Sequence, residues 1–472
     1  MQQTRVVRSN AAGGVRARRD ARAQFRSERS ERRLFEHGHP SAPARRTTTL
    51  LQVTLCLLLL TLTSGAKADV KVGDKITHQN ADKIVGIAPE GIVWCVRNGM
   101  EMDIVPYEPV PIPADYRAAT EKYSSQVQLS KEKSLINWVA GKPFPNIDVN
   151  DPEAATKVMY NFERTHYFSE TLYLNLTDAD TGALHRNANN EPVYVVERHF
   201  IPEWLRVLRF QGRLKNDPRP EILPNDDQVF YKAGLYPLIE PFDLKGVGGV
   251  SFRYLDQKKH DDTWLYLPQL RRVRRLSTAQ RSDALFGQDI DIDSFGGYAG
   301  QIPWFEWRLL GEKPMLASMH GQRLPPEPCK GDGGMTFCEP WEMRPSVYVV
   351  EGRPLMQNYA FSKRVIYVDK ETNLIPTSDL YDGNGELWKN VQISFRADRK
   401  PNPKVDFSYE DIRLFAYAYS VVDIQLQHST RVAIPGLAFQ HEAGWYLDLG
   451  PEAPSTVGEE WFSVHGLIAA GR

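Results

Sequence analysis

The 472-residue sequence is poor in cysteine, with only four, and after residue 68 it has no pair of histidines two to four residues apart. A thiol-rich scaffold and a zinc site of ordinary spacing are therefore not expected. The signatures Gly-x-Ser-x-Gly, His-Glu-x-x-His, the Walker loop and the Rossmann glycine fingerprint are all missing, which removes the common hydrolase, zincin and nucleotide-binding routes. No apolar run beyond residue 68 approaches the length needed to cross a bilayer. Basic excess is missing too. The formal charge is −1, yet residues 1–46 hold twelve Arg against four acids and Lys67 adds one more cation, so the rest carries about −10. A body of that sign lacks the footprint for nucleic acid and repels anionic headgroups.

What is present begins with an address. Thr49 to Thr63 is an apolar run, preceded by Arg45-Arg46 and followed by Ser64-Gly65-Ala66-Lys67-Ala68. A basic flank, a short apolar stretch and an Ala-x-Ala site describe a secretory signal cleaved near Ala68. Residues 1–48 read as an Arg-rich leader, disordered or the product of a start assigned too far upstream, residues 49–68 as the signal, and residues 69–472 as one folded region. Export to the periplasm is expected. In that oxidising compartment Cys329 and Cys338, which flank Lys330-Gly331-Asp332-Gly333-Gly334, are the natural disulfide. Cys95, beside Trp94 in apolar surroundings, reads as a buried thiol.

Strand patterns dominate the folded region. Helices are expected at 113–127, where Pro113 suits a first turn, and at 151–162, where Asp151-Pro152-Glu153 supplies a cap, a first-turn proline and an acid at the positive dipole end. Short strands are expected around Ile92-Val93-Trp94. Others are expected at 170–176, 193–196, 205–210, 250–255, 263–267, 304–309, 347–350, 364–368, 387–395 and 415–427, with a turn at Asp178–Gly182. Strands following strands without intervening helices give an antiparallel sheet.

Three features invite a chemical reading. Asp289, Asp291 and Asp293 stand at every second residue, a calcium-like spacing, but Ser294 occupies the place of the loop glycine and no bidentate Glu follows. The plainer reading is one polar and one apolar face of an extended segment. Arg271-Arg272-Val273-Arg274-Arg275 places arginines on both faces of a strand, to meet those acids or the anionic head of a ligand. The aromatics Phe252, Tyr254, Trp264, Tyr266, Trp304, Phe305 and Trp307 lie on neighbouring strands. They either fill a closed core or line an apolar cavity.

Asp262-Thr263-Trp264-Leu265-Tyr266-Leu267-Pro268, Arg271–Arg275, Gly287-Gln288-Asp289 and Asp293-Ser294-Phe295 resemble the DUF1329 family of exported proteobacterial proteins. Arg364–Lys370 and Tyr381–Leu387 fit the same pattern, so the likeness spans about Val70 to Gly466. The resemblance implies kinship with the LolA/LolB carrier fold: mainly β with a few helices, a large curved antiparallel sheet or unclosed barrel, and helices in its mouth. It also implies a periplasmic, non-catalytic binder of a lipid or other hydrophobic molecule, outer-membrane associated or working beside an envelope transporter or outer-membrane protein. No cofactor, metal or catalytic residue is expected. The expected ligand contacts are Phe252, Tyr254, Trp264, Tyr266, Trp304, Trp307, Arg272 and Arg274, with 113–127 and 151–162 as lid helices. A structural or adaptor protein with a filled core is the competing expectation, and an enzyme assembled from distant residues is the third.

Overall fold

The computed structural model describes residues 70–276, 281–448 and 459–471, so the expected leader and signal lie outside the described residues. Among the described residues strands outnumber helical residues, and the strand pairs are antiparallel except for Met102–Val105 beside Trp341–Pro354. A large sheet of twelve strands contains, in spatial order, Trp341–Pro354, Lys363–Asp369, Thr377–Tyr381, Leu387–Asp398, Arg413–Asp423 and His428–Ala433. It continues through Asp178–Arg186, Pro192–Pro202 and Leu238–Glu240. A small sheet of seven runs Arg272–Arg275, Asp262–Leu267, Gly248–Tyr254, Val229–Leu235, Trp204–Arg209, Thr171–Asn175 and Trp445–Leu447. The turn signals work as expected: Asn373 and Gly385 take positive φ at the ends of hairpins in the large sheet.

The two sheets are one fabric bent along a line. Three strands of the small sheet connect to strands of the large one through corners of one or two residues: Leu176-Thr177, Glu203, and Tyr236-Pro237. The corners bond to each other, Leu176 N–H to the Glu203 carbonyl at 3.1 Å and Glu203 N–H to the Pro237 carbonyl at 2.8 Å. Backbone polar groups are thus satisfied through the bend. Among the described residues no such seam joins the opposite margins: Arg272–Arg275 ends the small sheet. The barrel is open, as the family likeness implied.

Two local expectations need correction. Asp178–Gly182 is not a turn but the start of the strand Asp178–Arg186, paired on both sides. Turn-forming residues were tolerated because tertiary pairing overrode them. At Gly182 the neighbouring strand comes so close that a Cβ would lie 2.1 Å from the Val195 carbonyl oxygen. Ile92-Val93-Trp94 is not a strand but part of the helix Glu90–Arg97. A short apolar run does not distinguish the two by itself. The helix buries Ile92, Val93, Cys95 and Val96 against Ile76, Ile84 and Met102. Cys95 is the buried free thiol expected, its pKa raised by burial, and Cys329 and Cys338 form the disulfide.

The outer face of the small sheet is sealed by the C-terminal helix Val464–Ala470 and the turn before it. Leu467, fully buried, packs with Tyr236, Val250 and Tyr266. Trp461 stacks on Tyr236 at 4.1 Å. Deleting most of the Leu467 side chain leaves a cavity in this contact. Leu467→Ala is therefore expected to cost about 2–5 kcal/mol, read by urea unfolding followed through tryptophan fluorescence. A change within about 0.5 kcal/mol, the range of a surface substitution, would show that the helix does not seal the sheet.

Candidate functional site

Period-two alternation decides what each strand of the small sheet shows to the bend. On Trp204–Arg209 the residues facing inward are Leu205, Val207 and Arg209. On the hairpin Gly248–Tyr254 and Asp262–Leu267 they include Gly249, Ser251, Arg253, Thr263 and Leu265. Opposite them the large sheet offers Phe200, Ile393, Ala416 and Val432, with Ile434 just past the end of its strand His428–Ala433. Between the two lies a cavity of about 410 Å³, mostly apolar in its walls. Ala233, Ser251, Thr263 and Leu265 are only half-buried because they face this space and not packed side chains.

Two further segments close the sides. The helix Ala154–Thr165 packs Ala155, Val158 and Met159 on the tryptophan-rich cluster of Trp304 and Trp307, and presents Phe162 and Glu163 to the cavity. It lies where a lid was expected. The other expected lid helix, observed as Ala114–Tyr123, contributes nothing to the lining. The second segment, residues 281–302, crosses between the sheets. Its three spaced carboxylates act as pins. Asp289 accepts from His428 Nδ1 at 2.7 Å and Thr430 Oγ1 at 3.0 Å. Asp291 meets Arg364 at 3.2 Å and Ser294. Asp293 takes Arg281 Nε at 2.6 Å and the Tyr359 hydroxyl at 2.9 Å. Ile290 and Ile292, between the pins, line the cavity. The acids meet protein partners while Ile290 and Ile292 meet the cavity, but the segment is not the extended one expected: Ile292–Gly297 is a 3-10 helix and the residues before it are turns and bends. Its cations come from elsewhere than Arg271–Arg275.

The expected ligand contacts fall outside the lining. Phe252, Tyr254, Trp264 and Tyr266 project from the opposite face of the small sheet, where Trp461, Phe462 and Leu467 cover them. A strand's two faces differ by one residue, and the bulky set lies on the face turned away from the cavity. On this hairpin the face toward the cavity carries Gly249, Ser251 and Thr263 beside Arg253 and Leu265, while the filled face carries the rings of Phe252, Tyr254, Trp264 and Tyr266. Trp304 and Trp307 sit in the core beside the cavity, under the helix Ala154–Thr165. Arg272 and Arg274 are exposed on the edge strand, where charge discourages pairing with another chain.

The lining residues that sequence reading missed are charged and buried. Arg253 forks onto Asp261 at 3.1 and 2.7 Å, and Arg281 reaches the same carboxylate at 2.9 Å. Burial opposes ionisation of Asp261, yet Arg253 and Arg281 more than offset it and hold its carboxyl below the usual range. Arg209 is different. Its Nη2 donates to the Glu163 backbone carbonyl at 2.7 Å, and burial together with neighbouring Arg164 pushes its pKa down to about 9. The signal available in sequence was faint: a single Arg closing the alternating run Trp204–Arg209.

Residues 75–441 match the family described as "Protein of unknown function (DUF1329)". The Uncharacterized protein PA3922 of Pseudomonas aeruginosa is similar, 22% identical over 59% of this chain and 61% of its own length, so under two thirds of that relative is spanned. Among solved structures, a Vibrio parahaemolyticus domain named for outer membrane lipoprotein sorting is similar with a TM-score of 0.42 and 16% identity, over 67% of this chain and all of that one. The LolA superfamily protein NE2245 of Nitrosomonas europaea follows with a TM-score of 0.32 and 13% identity, over 59% and 90%.

Asp261 supplies a test of the charged wall. Its lowered folded-state value means that its contribution is complete above the unfolded value of about 3.9 and is lost as the pH falls through the folded value. Asp261→Asn leaves Arg253 and Arg281 underneutralised. It is expected to cost about 3–5 kcal/mol at pH 7, with the gap to wild type closing in acid. Denaturant titrations at pH 7 and pH 3 check this; a gap independent of pH would remove the ion pair as its source.

Proposed function

The chain belongs to the DUF1329 family, and we propose that it is a non-catalytic carrier in the periplasm that shelters a lipid or other hydrophobic molecule between its two sheets. One observation carries the reading, the apolar cavity of about 410 Å³ inside the bend. Its size is within the range of about 300–1,000 Å³ usual for small-molecule sites. Burial of apolar surface is the main term available there. Each methylene withdrawn from water contributes about 0.8 kcal/mol, so a chain of a dozen yields on the order of 10 kcal/mol before ordering is subtracted. Capture needs no reacting group.

The rest of the molecule is consistent with this role. Sequence features at 49–68 support export, and no described helix is long and apolar enough to cross a membrane. The acidic body favours a water-borne carrier over a protein that settles on anionic membrane. An envelope transporter or outer-membrane protein would take the cargo from it.

Filling the space should abolish capture. Ala233→Trp is expected to weaken binding of a fluorescent fatty acid at least tenfold, while Trp264→Ala, on the filled face, changes it less than twofold. Native mass spectrometry of protein taken from the envelope should show bound lipid. An empty protein that also ignores the fluorescent fatty acid would overturn the reading and favour a structural or adaptor role.

A further inference from the structure

The charges around the cavity do not balance. Arg164, Arg209, Arg253, Arg281 and Arg364 form one buried group, and the carboxylates among them are Glu163, Asp261, Asp291 and Asp293. Arg253 and Arg281 are matched by Asp261 and Asp293, and Arg364 by Asp291. Glu163 turns its carboxylate to Arg164 at 3.2 Å and to Arg253 at 3.9 Å. Arg209 is left without an ion pair among the described residues. It is 4% exposed, its Nε has no hydrogen-bond partner, and it stands in the cavity wall.

Burying an unpaired cation is expensive, and guanidinium is the side chain best shaped to meet a planar anion with two parallel bonds. Leu205 and Val207 share its face, so from Arg209 the wall continues apolar for about 13 Å along the strand toward the corner at Glu203. A charge at one end of a greasy wall suits a molecule built the same way. We infer that the cavity selects a single-chain amphipath with an anionic head, a carboxylate in the first instance, whose head pairs with Arg209 and whose chain lies along Val207 and Leu205. The inference rests on the carrier reading above and narrows it from any hydrophobic molecule to an acidic one.

The test compares cis-parinaric acid with its methyl ester, which has the same fluorescent chain and no charge, on the full folded protein at pH 7. Wild type is expected to bind the acid at least tenfold more tightly than the ester. Arg209→Gln should shrink that ratio to within about twofold, mainly by weakening the acid, and Arg209→Lys should restore part of it. Equal binding of acid and ester by wild type, or a ratio unchanged in Arg209→Gln, overturns the anionic head and leaves the carrier standing. No binding of either probe overturns both. Should Arg209→Gln fail to fold, the wild-type ratio and Arg209→Lys decide the matter.

Discussion

Everything inside this protein depends on backbone hydrogen bonds that continue through a bend. Leu176, Glu203 and the Tyr236-Pro237 corner bond to one another, so three strands can leave one sheet and enter the other without orphaning polar groups. The seam fixes the angle between the sheets on one side. With no seam opposite among the described residues, the sheets diverge, and the wedge between them must be filled or left empty.

It is partly filled. The segment 281–302 enters the wedge held by Asp289, Asp291 and Asp293, each on a different element of the large sheet or its loops. Those bonds hold Ile290 and Ile292 at the cavity wall and stop the segment from collapsing further. On the small sheet several inward positions are small, as at Ala233, Gly249, Ser251 and Thr263. Where side chains are short and the intruding segment is tethered, space remains. The wide rings of the same strands were spent on the far side, under Trp461 and Leu467.

Much of this architecture was legible. Alternation and turn chemistry located most strands, the capping pattern at Asp151 foretold the helix over the cavity, and the spacing of Cys329 and Cys338 foretold their bond. Errors arose where local signals were silent about neighbours. Asp178–Gly182 looks like a turn until two strands pair with it. The aromatic pairs at 252/254 and 264/266 were recognised as sharing a face, but nothing local says which face a distant C-terminal helix will cover. Arg209 is one arginine among many until the fold buries it beside Arg164 and Glu163 in the cavity wall.

The sequence by itself determined the β-rich class, the family, the acidic character of the body and the alternation along each strand, because these follow from composition, motif and the two-residue period. Tertiary structure alone decided the phase of that alternation, the existence of the cavity and the unpaired charge in its wall. All three are relations between segments far apart in the chain. A side chain faces core, solvent or empty space only with respect to what comes to lie against it.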